Sequence, residues 1–256
     1  MIKKWLTHPL TRGLNIDDPD TTRLRQRIIE EKVFLRQIYI EWYEAVVASL
    51  PLKPGPILEL GSGAGFLRDF IPDLISSDII HCPEINLLLD GQRLPFAEKM
   101  LRAIVMVNTL HHIPNPRLFF SEAIRCLQRG GVVIMIEPWF TPWSSLIYTK
   151  FHHEPFNPEA VNWEFPTSGP LSGANGALRW IIFYRDRTQF EREFSEFVIK
   201  TRKPLMPFRY LLSGGLSMRC LVPGWTFGFW RQFEKVLRPW VGELAMFAQI
   251  VLQCTR

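Results

Sequence analysis

The run Glu59-Leu60-Gly61-Ser62-Gly63-Ala64-Gly65 constrains this chain more than any other stretch. Pro56-Ile57-Leu58 before it is apolar, and Phe66-Leu67-Arg68-Asp69-Phe70 after it reads as a helix start, so the segment is predicted as strand, glycine turn and helix. Glycines at alternate positions leave out the Cβ atoms that would block a ligand, and a helix opening there would present unpaired N–H groups to it. The dinucleotide pattern G-x-G-x-x-G needs a third glycine where Phe66 stands, which argues against a dinucleotide. The acid at the strand end, Glu59, would repel a pyrophosphate and attract an amine-bearing cofactor.

An acid-x-Gly-x-Gly-x-Gly turn in this setting resembles the first motif of the class I S-adenosylmethionine (SAM)-dependent methyltransferases, small-molecule "type 11"-like group. Leu74-Ile75-Ser76-Ser77-Asp78-Ile79 reads as a second strand ending in an acid, and the resemblance implies that Asp78, beside Ile79, accepts from ribose hydroxyls. Ile85-Asn86-Leu87-Leu88-Leu89-Asp90-Gly91-Gln92 with Leu94-Pro95-Phe96 looks like the family's third-strand motif, which implies that Asp90 accepts from the adenine amino group. Leu101 to Asn108 is a buried fourth strand, and Thr109-Leu110-His111-His112-Ile113-Pro114 is similar to the family's "LHH" loop over the cofactor. The implied cofactor is SAM, with S-adenosylhomocysteine as product, held by Glu59, Gly61, Ser62, Gly63, Gly65, Asp78, Ile79, Asp90, Gly91 and Asn108.

The resemblance covers residues 55 to 138. Two departures stand out. About eleven residues separate Asp78 from Asp90, too few for the usual crossover helix, which should be missing or reduced to a turn around Cys82-Pro83-Glu84. Asn108 also stands where an aspartate is common, which weakens any charged catalytic role there.

The alternation of apolar strands and helices predicts an α/β fold: a doubly wound, mostly parallel seven-stranded sheet (Rossmann-like) with an N-terminal helix and an inserted helical and loop cap. Residues 1–52 form the expected helical extension, and 53–256 the main domain, with a loop insertion at 139–185 and a cap insertion at 203–243. One long helix is predicted from Thr21 or Thr22 to Ser49, carrying Leu24, Ile28, Phe34, Leu35, Ile38, Trp42 and Val46. A helix from Pro116 is expected to stop at Arg129-Gly130-Gly131, with a buried strand at 132–137 after it. Further elements are a helix at 188–194, strands at 196–200 and 245–252, and an aromatic cap helix around Phe227, Phe229, Trp230, Phe233 and Val236.

A hydrophobic fraction of 47% with 21% charged residues fits a well-filled globular protein, and a net charge of +5 suits anionic partners without the basic stripe of a nucleic-acid binder. The positive start Met1-Ile2-Lys3-Lys4 is interrupted at Thr7-His8-Pro9 before an apolar signal region forms, and Cys82, Cys126, Cys220 and Cys254 lie far apart. Together these point to a cytoplasmic protein with reduced thiols. H-E-x-x-H is absent, so no metal is expected.

Methyl transfer to a hydroxyl needs placement and a base, and the candidates are His112 in the loop after the fourth strand and the pair His152-His153 after the fifth. Glu137 and Trp139 are candidate lining residues. Arg179, Arg185, Arg187 and Arg202 around the run Trp180-Ile181-Ile182-Phe183-Tyr184 suit an anionic or sugar-linked acceptor, although such charges are more often solvated surface. The leading expectation is SAM-dependent methylation, at oxygen, of a small-molecule or glycan/lipid-precursor acceptor. The alternatives are a non-catalytic SAM-binding module whose cap docks a protein or membrane surface, and a nucleic-acid methyltransferase, which lacks its N-P-P-Y motif after Val107.

Overall fold

The central strands form where the sequence is mostly apolar. The computed structural model describes residues 6–11, 18–82, 85–152, 154–167, 169–171 and 173–256. Its strands are β1 (Ile57–Leu60), β2 (Leu74–Asp78), β3 (Leu87–Leu88), β4 (Leu101–Val107), β5 (Leu127–Pro138), β6 (Phe197–Leu205) and β7 (Phe247–Cys254). They make one seven-stranded sheet in the order β3-β2-β1-β4-β5-β7-β6. Every pairing is parallel except those of β7, which runs antiparallel to β5 and β6. The seven-stranded, mostly parallel α/β sheet expected from the sequence is therefore present.

Side chains alternate across the sheet because successive Cβ atoms point to opposite faces. Leu58, Leu60, Ile104, Met106, Val133 and Met135 pack on one side with Phe119, Phe120 and Ile124 of helix α3 (Pro116–Cys126). Ile57, Val105, Ile134 and Ile136 pack on the other with helices α1 (Pro19–Glu31) and α2 (Val33–Val47), and the Trp42 ring of α2 lies 4.9 Å from Phe247 of β7.

Several elements differ from expectation, each for a local reason. The N-terminal helix is two helices. Asp18, not Thr21 or Thr22, caps α1, its carboxylate accepting from Asp20 N–H at 2.9 Å. The break falls at Lys32, whose ψ of 83° leaves the helical region and whose buried ammonium donates to the carbonyls of Ser213 (3.1 Å), Gly215 (2.6 Å) and Met218. Three donors meet three carbonyls, which ties the helix junction to the segment before the aromatic cap helix.

The glycine turn leads into a single 3₁₀ turn (Leu67–Asp69) and not a helix; Phe66 N–H is already donated to Tyr43 Oη at 3.1 Å. Helix α2 lies over this part of the sheet instead. Gly130 and Gly131 do not stop α3, which ends at Cys126; they lie inside β5, where Gly130 has φ +76° and the register against β4 jumps from Leu101↔Leu127 to Ala103↔Val132. The pair forms a bulge.

The β2–β3 connection is as short as expected, with Ser77↔Leu87 and Asp78↔Leu88 in parallel register. Asn86 stands in for a crossover by accepting Ser76 N–H on its side chain (3.0 Å) and donating its own N–H to Ser76 O (2.9 Å). Pro83 and Glu84 of the expected turn lie outside the described residues.

The 139–185 stretch is not one loop. Thr141 and Ser144 form a reciprocal capping box for helix α4 (Pro142–Phe151), and Ile181–Arg185 is a π-helical turn. Helix α5 (Arg187–Glu193) follows as expected, β6 continues to Leu205, and the aromatic cap helix is α6 (Phe227–Val236).

Candidate functional site

The strand ends gather one cleft that takes in Glu59, Gly61, Ser62, Gly63, Gly65, Asp78, Ile79, Asp90, Gly91 and Asn108 together, with Tyr39, Thr109 and His112 on its walls. Only one of the three glycines opens toward it. A Cβ on Gly61 would sit 2.4 Å from Thr109 Oγ1, and one on Gly65 2.6 Å from Tyr43 Oη, so both glycines answer to close packing. A Cβ on Gly63 would meet nothing nearer than Asp78 Oδ2 at 3.7 Å, and its φ of +48° is one that side chains rarely adopt.

Two acids line this turn. The Glu59 carboxyl, buried beneath Ser62, is pushed up to about 7 by desolvation and receives the Ser62 hydroxyl at 2.8 Å. Asp78 Oδ2 accepts Gly63 N–H (2.9 Å) and Oδ1 accepts Ile80 N–H (3.0 Å); burial raises its pKa as well. Asp90, by contrast, is exposed, its Oδ1 taking Gln92 N–H at 2.8 Å. Asn108, at the end of β4, sits at φ +56° with its N–H on Ile136 O. The Tyr39 hydroxyl reaches the Asn108 side chain.

A second cleft adjoins the first. It is bounded by Asn108, His111, His112, Tyr148, His152, Glu154 and Tyr210 with the 214–218 segment, and the two clefts share Arg25, Asn108, His112 and Leu216. Under its floor lies a chain of charges. Glu137, at the end of β5 and fully buried, accepts the N–H groups of Thr109 and Leu110 on Oε1, both at 2.7 Å. Its Oε2 faces His111 Nδ1 at 2.7 Å and the Arg179 guanidinium at 3.0 Å. His111 Nε2 in turn lies 3.4 Å from Glu154 Oε2.

These contacts set the protonation states. Burial lowers the pKa of His111, but its hydrogen bonds to Glu137 and Glu154 outweigh that and raise it. Burial likewise works against Glu137 ionising, yet Arg179 and His111 hold its carboxyl down, and His111 does the same for Glu154. His112 goes the other way, lowered to about 4 by burial and by the His111 cation beside it. His112 Nδ1 faces Gly173 O at 3.3 Å, and its Nε2 lies 3.8 Å from Glu154 Oε1. His152 Nδ1 is 3.8 Å from Glu154 Oε2, and His153 lies outside the described residues. Donor atoms of His111, His112 and Glu154 lie within 4.8 Å of one another, near enough for a cation, but imidazolium and carboxylates already balance charge there.

Residues 58–135 match a family model described as a methyltransferase domain. Over nearly the whole chain, the structure is similar to a chain from the complex of the Haloferax volcanii Trm112 methyltransferase activator with a methyltransferase (TM-score 0.54, 11% identity, 95% of this chain and 100% of that one). It is also similar to geranyl diphosphate C-methyltransferase from Streptomyces coelicolor (0.52, 13%, 98% and 87%) and to a SAM-dependent methyltransferase from Thermotoga maritima (0.51, 16%, 92% and 100%). The fold is that of the class I SAM-dependent methyltransferases. No curated protein matches the sequence at a significant level.

Within this methyltransferase fold, Glu137 stands near the second cleft as expected of a lining residue, but its pairing with His111 and Arg179 has no signal in the sequence. Glu137 carried the signal of an acid at a strand end, but its four partners come from distant parts of the chain. Arg179, grouped with surface charges, is 1% exposed and has Glu137 as its counterion. Its position in the otherwise apolar stretch Ala177 to Phe183 was the available clue. Tyr148, which donates to Met246 O at 2.7 Å, lies on α4 in a stretch that was expected to be loop.

Proposed function

We propose that this chain is a SAM-dependent methyltransferase whose cofactor lies along the glycine turn and whose acceptor, a small molecule or glycan/lipid precursor, is methylated at oxygen in the adjoining cleft. The observation that carries this reading is the junction of the two clefts at Asn108 and His112. Residues of the first cleft fit the cofactor: an open cradle over Gly63, a buried carboxylate at Glu59 for an ammonium, and acids at Asp78 and Asp90 for hydroxyls and an amino group. SAM supplies a methyl group already activated on a sulfonium, so the protein's tasks are alignment and proton removal.

His112 is the proposed base. With Nδ1–H donated to Gly173 O, Nε2 carries the lone pair, and a pKa near 4 keeps the ring neutral at physiological pH. His112 Nε2 would then take the proton that the acceptor hydroxyl gives up when its oxygen is methylated. His152, on the wall of the second cleft, is assigned to lining it. The protein is placed in the cytoplasm, in keeping with four unpaired cysteines; no described helix is long and apolar enough to cross a membrane.

Calorimetry with SAM, followed by incubation with methyl-labelled SAM and fractionated extracts, tests the proposal. Label in a low-mass product supports it, label in RNA favours the nucleic-acid alternative, and SAM binding without transfer favours the non-catalytic module.

A further inference from the structure

Helix α6 buries an unusual face. Its inner side carries Phe227 and Glu234, and Glu234 is fully used: Oε1 accepts the N–H groups of Phe208 and Arg209 at 2.8 Å each, and Oε2 holds Arg209 Nε at 2.6 Å. The outer side is apolar. Trp225, Phe229, Phe233, Val236 and Trp240 are exposed by 86, 66, 39, 69 and 57%. Phe229, Phe233 and Val236, at steps of four and three residues, share one stripe of α6, and Trp225 and Trp240 lie in the 3₁₀ turns Gly224–Thr226 and Arg238–Trp240 at its two ends. A surface helix in a soluble domain normally turns such a stripe inward, and a contiguous apolar patch left outside marks an interaction site.

Charge identifies the partner. Residues 200–240 hold eight Lys or Arg and one acid, Glu234, whose carboxylate Arg209 already neutralises, whereas the whole chain carries only +5. The exposed members include Lys200, Arg202, Lys203, Arg219, Lys235 and Arg238. The positive excess of the protein thus falls in the part of the chain that carries its most apolar exposed stripe, with exposed Lys235 and Arg238 beside Val236. Docking of a second copy through this face would bring two such basic surfaces together, which like-charge repulsion opposes.

We propose that the 219–240 segment is a docking surface for an anionic lipid bilayer. The aromatic stripe enters the boundary between headgroups and acyl chains, with Phe229, Phe233 and Val236 deepest and the indoles of Trp225 and Trp240 at headgroup level at its two ends. Lys235, Arg238 and the neighbouring cations meet the lipid phosphates. The contact is interfacial, since no described helix is long and apolar enough to cross a bilayer. The second cleft is bounded by residues 214–218, which immediately precede this segment in the chain. The docking itself does not depend on the methyl-transfer reading.

Co-sedimentation of the full chain with vesicles tests the proposal. Binding is expected to vesicles containing about 30% phosphatidylglycerol and to be at least roughly tenfold weaker to phosphatidylcholine alone or in high salt. The triple variant Trp225→Ser/Phe229→Ser/Trp240→Ser, altered only at exposed positions, is expected to lose vesicle binding by at least about tenfold with an unchanged circular dichroism spectrum. Lys235→Glu/Arg238→Glu is expected to lose the preference for the anionic lipid. Absence of binding to the phosphatidylglycerol vesicles overturns the proposal, as does binding that survives the triple substitution. So does a wild-type dimer in sedimentation velocity that the triple variant converts to monomer, since a second copy would then cover the stripe. SAM calorimetry on the same samples reads the methyltransferase assignment separately.

Discussion

His111 Nδ1 lies 2.7 Å from Glu137 Oε2, with both side chains out of solvent, and this contact joins the loop after β4 to the end of β5. Removing one charge of a buried pair leaves the other unpaired, so Glu137→Gln, which takes from Arg179 its counterion and leaves His111 with Glu154 alone, should cost about 3–5 kcal/mol in urea unfolding. The pH dependence has a definite sign. His111 has a raised pKa when folded, so its contribution is complete below the ordinary histidine value and is lost as pH rises through the raised one. Glu137 has a lowered pKa, so its contribution is complete above the ordinary carboxylate value and is lost as pH falls through the lowered one. The urea midpoint should therefore decline on the alkaline side in wild type, and that decline should vanish in His111→Phe; an identical alkaline slope in the variant would refute the assignment.

Glu59 makes the cofactor site sensitive to pH near neutrality. Its carboxyl, raised to about 7, is half protonated there, so SAM affinity should increase from pH 6 to pH 8. In Glu59→Gln the affinity should be flat over that range and lower at pH 8 by about 1.5–3 kcal/mol, the scale of a charge-assisted hydrogen bond. Stability of the unliganded protein moves oppositely: the folded carboxyl holds its proton between the ordinary carboxylate value and about 7, where the unfolded one does not, so stability falls as pH rises through that window. Titration calorimetry and urea melts at matched pH values read the two trends.

Gly63→Val should abolish detectable SAM binding while the far-ultraviolet circular dichroism stays native, because the added Cβ enters open space and the φ of +48° adds about 1–3 kcal/mol of strain. Asp90→Ala should only weaken binding, by about 1–3 kcal/mol, the loss of one acceptor. Unchanged affinity in both variants, read by calorimetry, would move the cofactor out of this cleft.

Lys32→Met should leave three carbonyls without their donor and destabilise the protein by at least about 2 kcal/mol. Hydrogen exchange gives the sharper reading. Protection should drop in residues 209–221 as well as at the α1–α2 junction, whereas a purely local effect would confine the loss to residues around position 32.

The parts of the fold legible in the sequence are those governed by nearest neighbours along the chain. The apolar runs of β1, β4 and β5, the glycine turn between them and the compressed step from Asp78 to Asp90 all announced themselves, since strand periodicity and backbone crowding are local properties. The break at Lys32 was illegible because its cause lies at Ser213, Gly215 and Met218, 181 to 186 residues further along the chain. Gly130 and Gly131 looked like a helix stop because a bulge and a stop ask the same thing of a backbone: a residue that tolerates positive φ. Arg179 was read as surface because nothing adjacent to it reveals that a carboxylate waits at Glu137. In the candidate site, Glu59 and the glycines of the first cleft were readable from their spacing and Asp78 and Asp90 from the family resemblance, whereas the pairing of the buried charges beneath the second cleft was not.

The placement of α2 has a consequence for how the chain reaches its native state. Trp42 touches Phe247, so the layer that covers one face of the sheet emerges from the ribosome about two hundred residues ahead of the strand it must rest on. Until β7 slots between β5 and β6, the greasy side of that helix has no finished platform. Synthesis therefore leaves a long interval in which a chaperone, or a neighbouring nascent chain, competes for it.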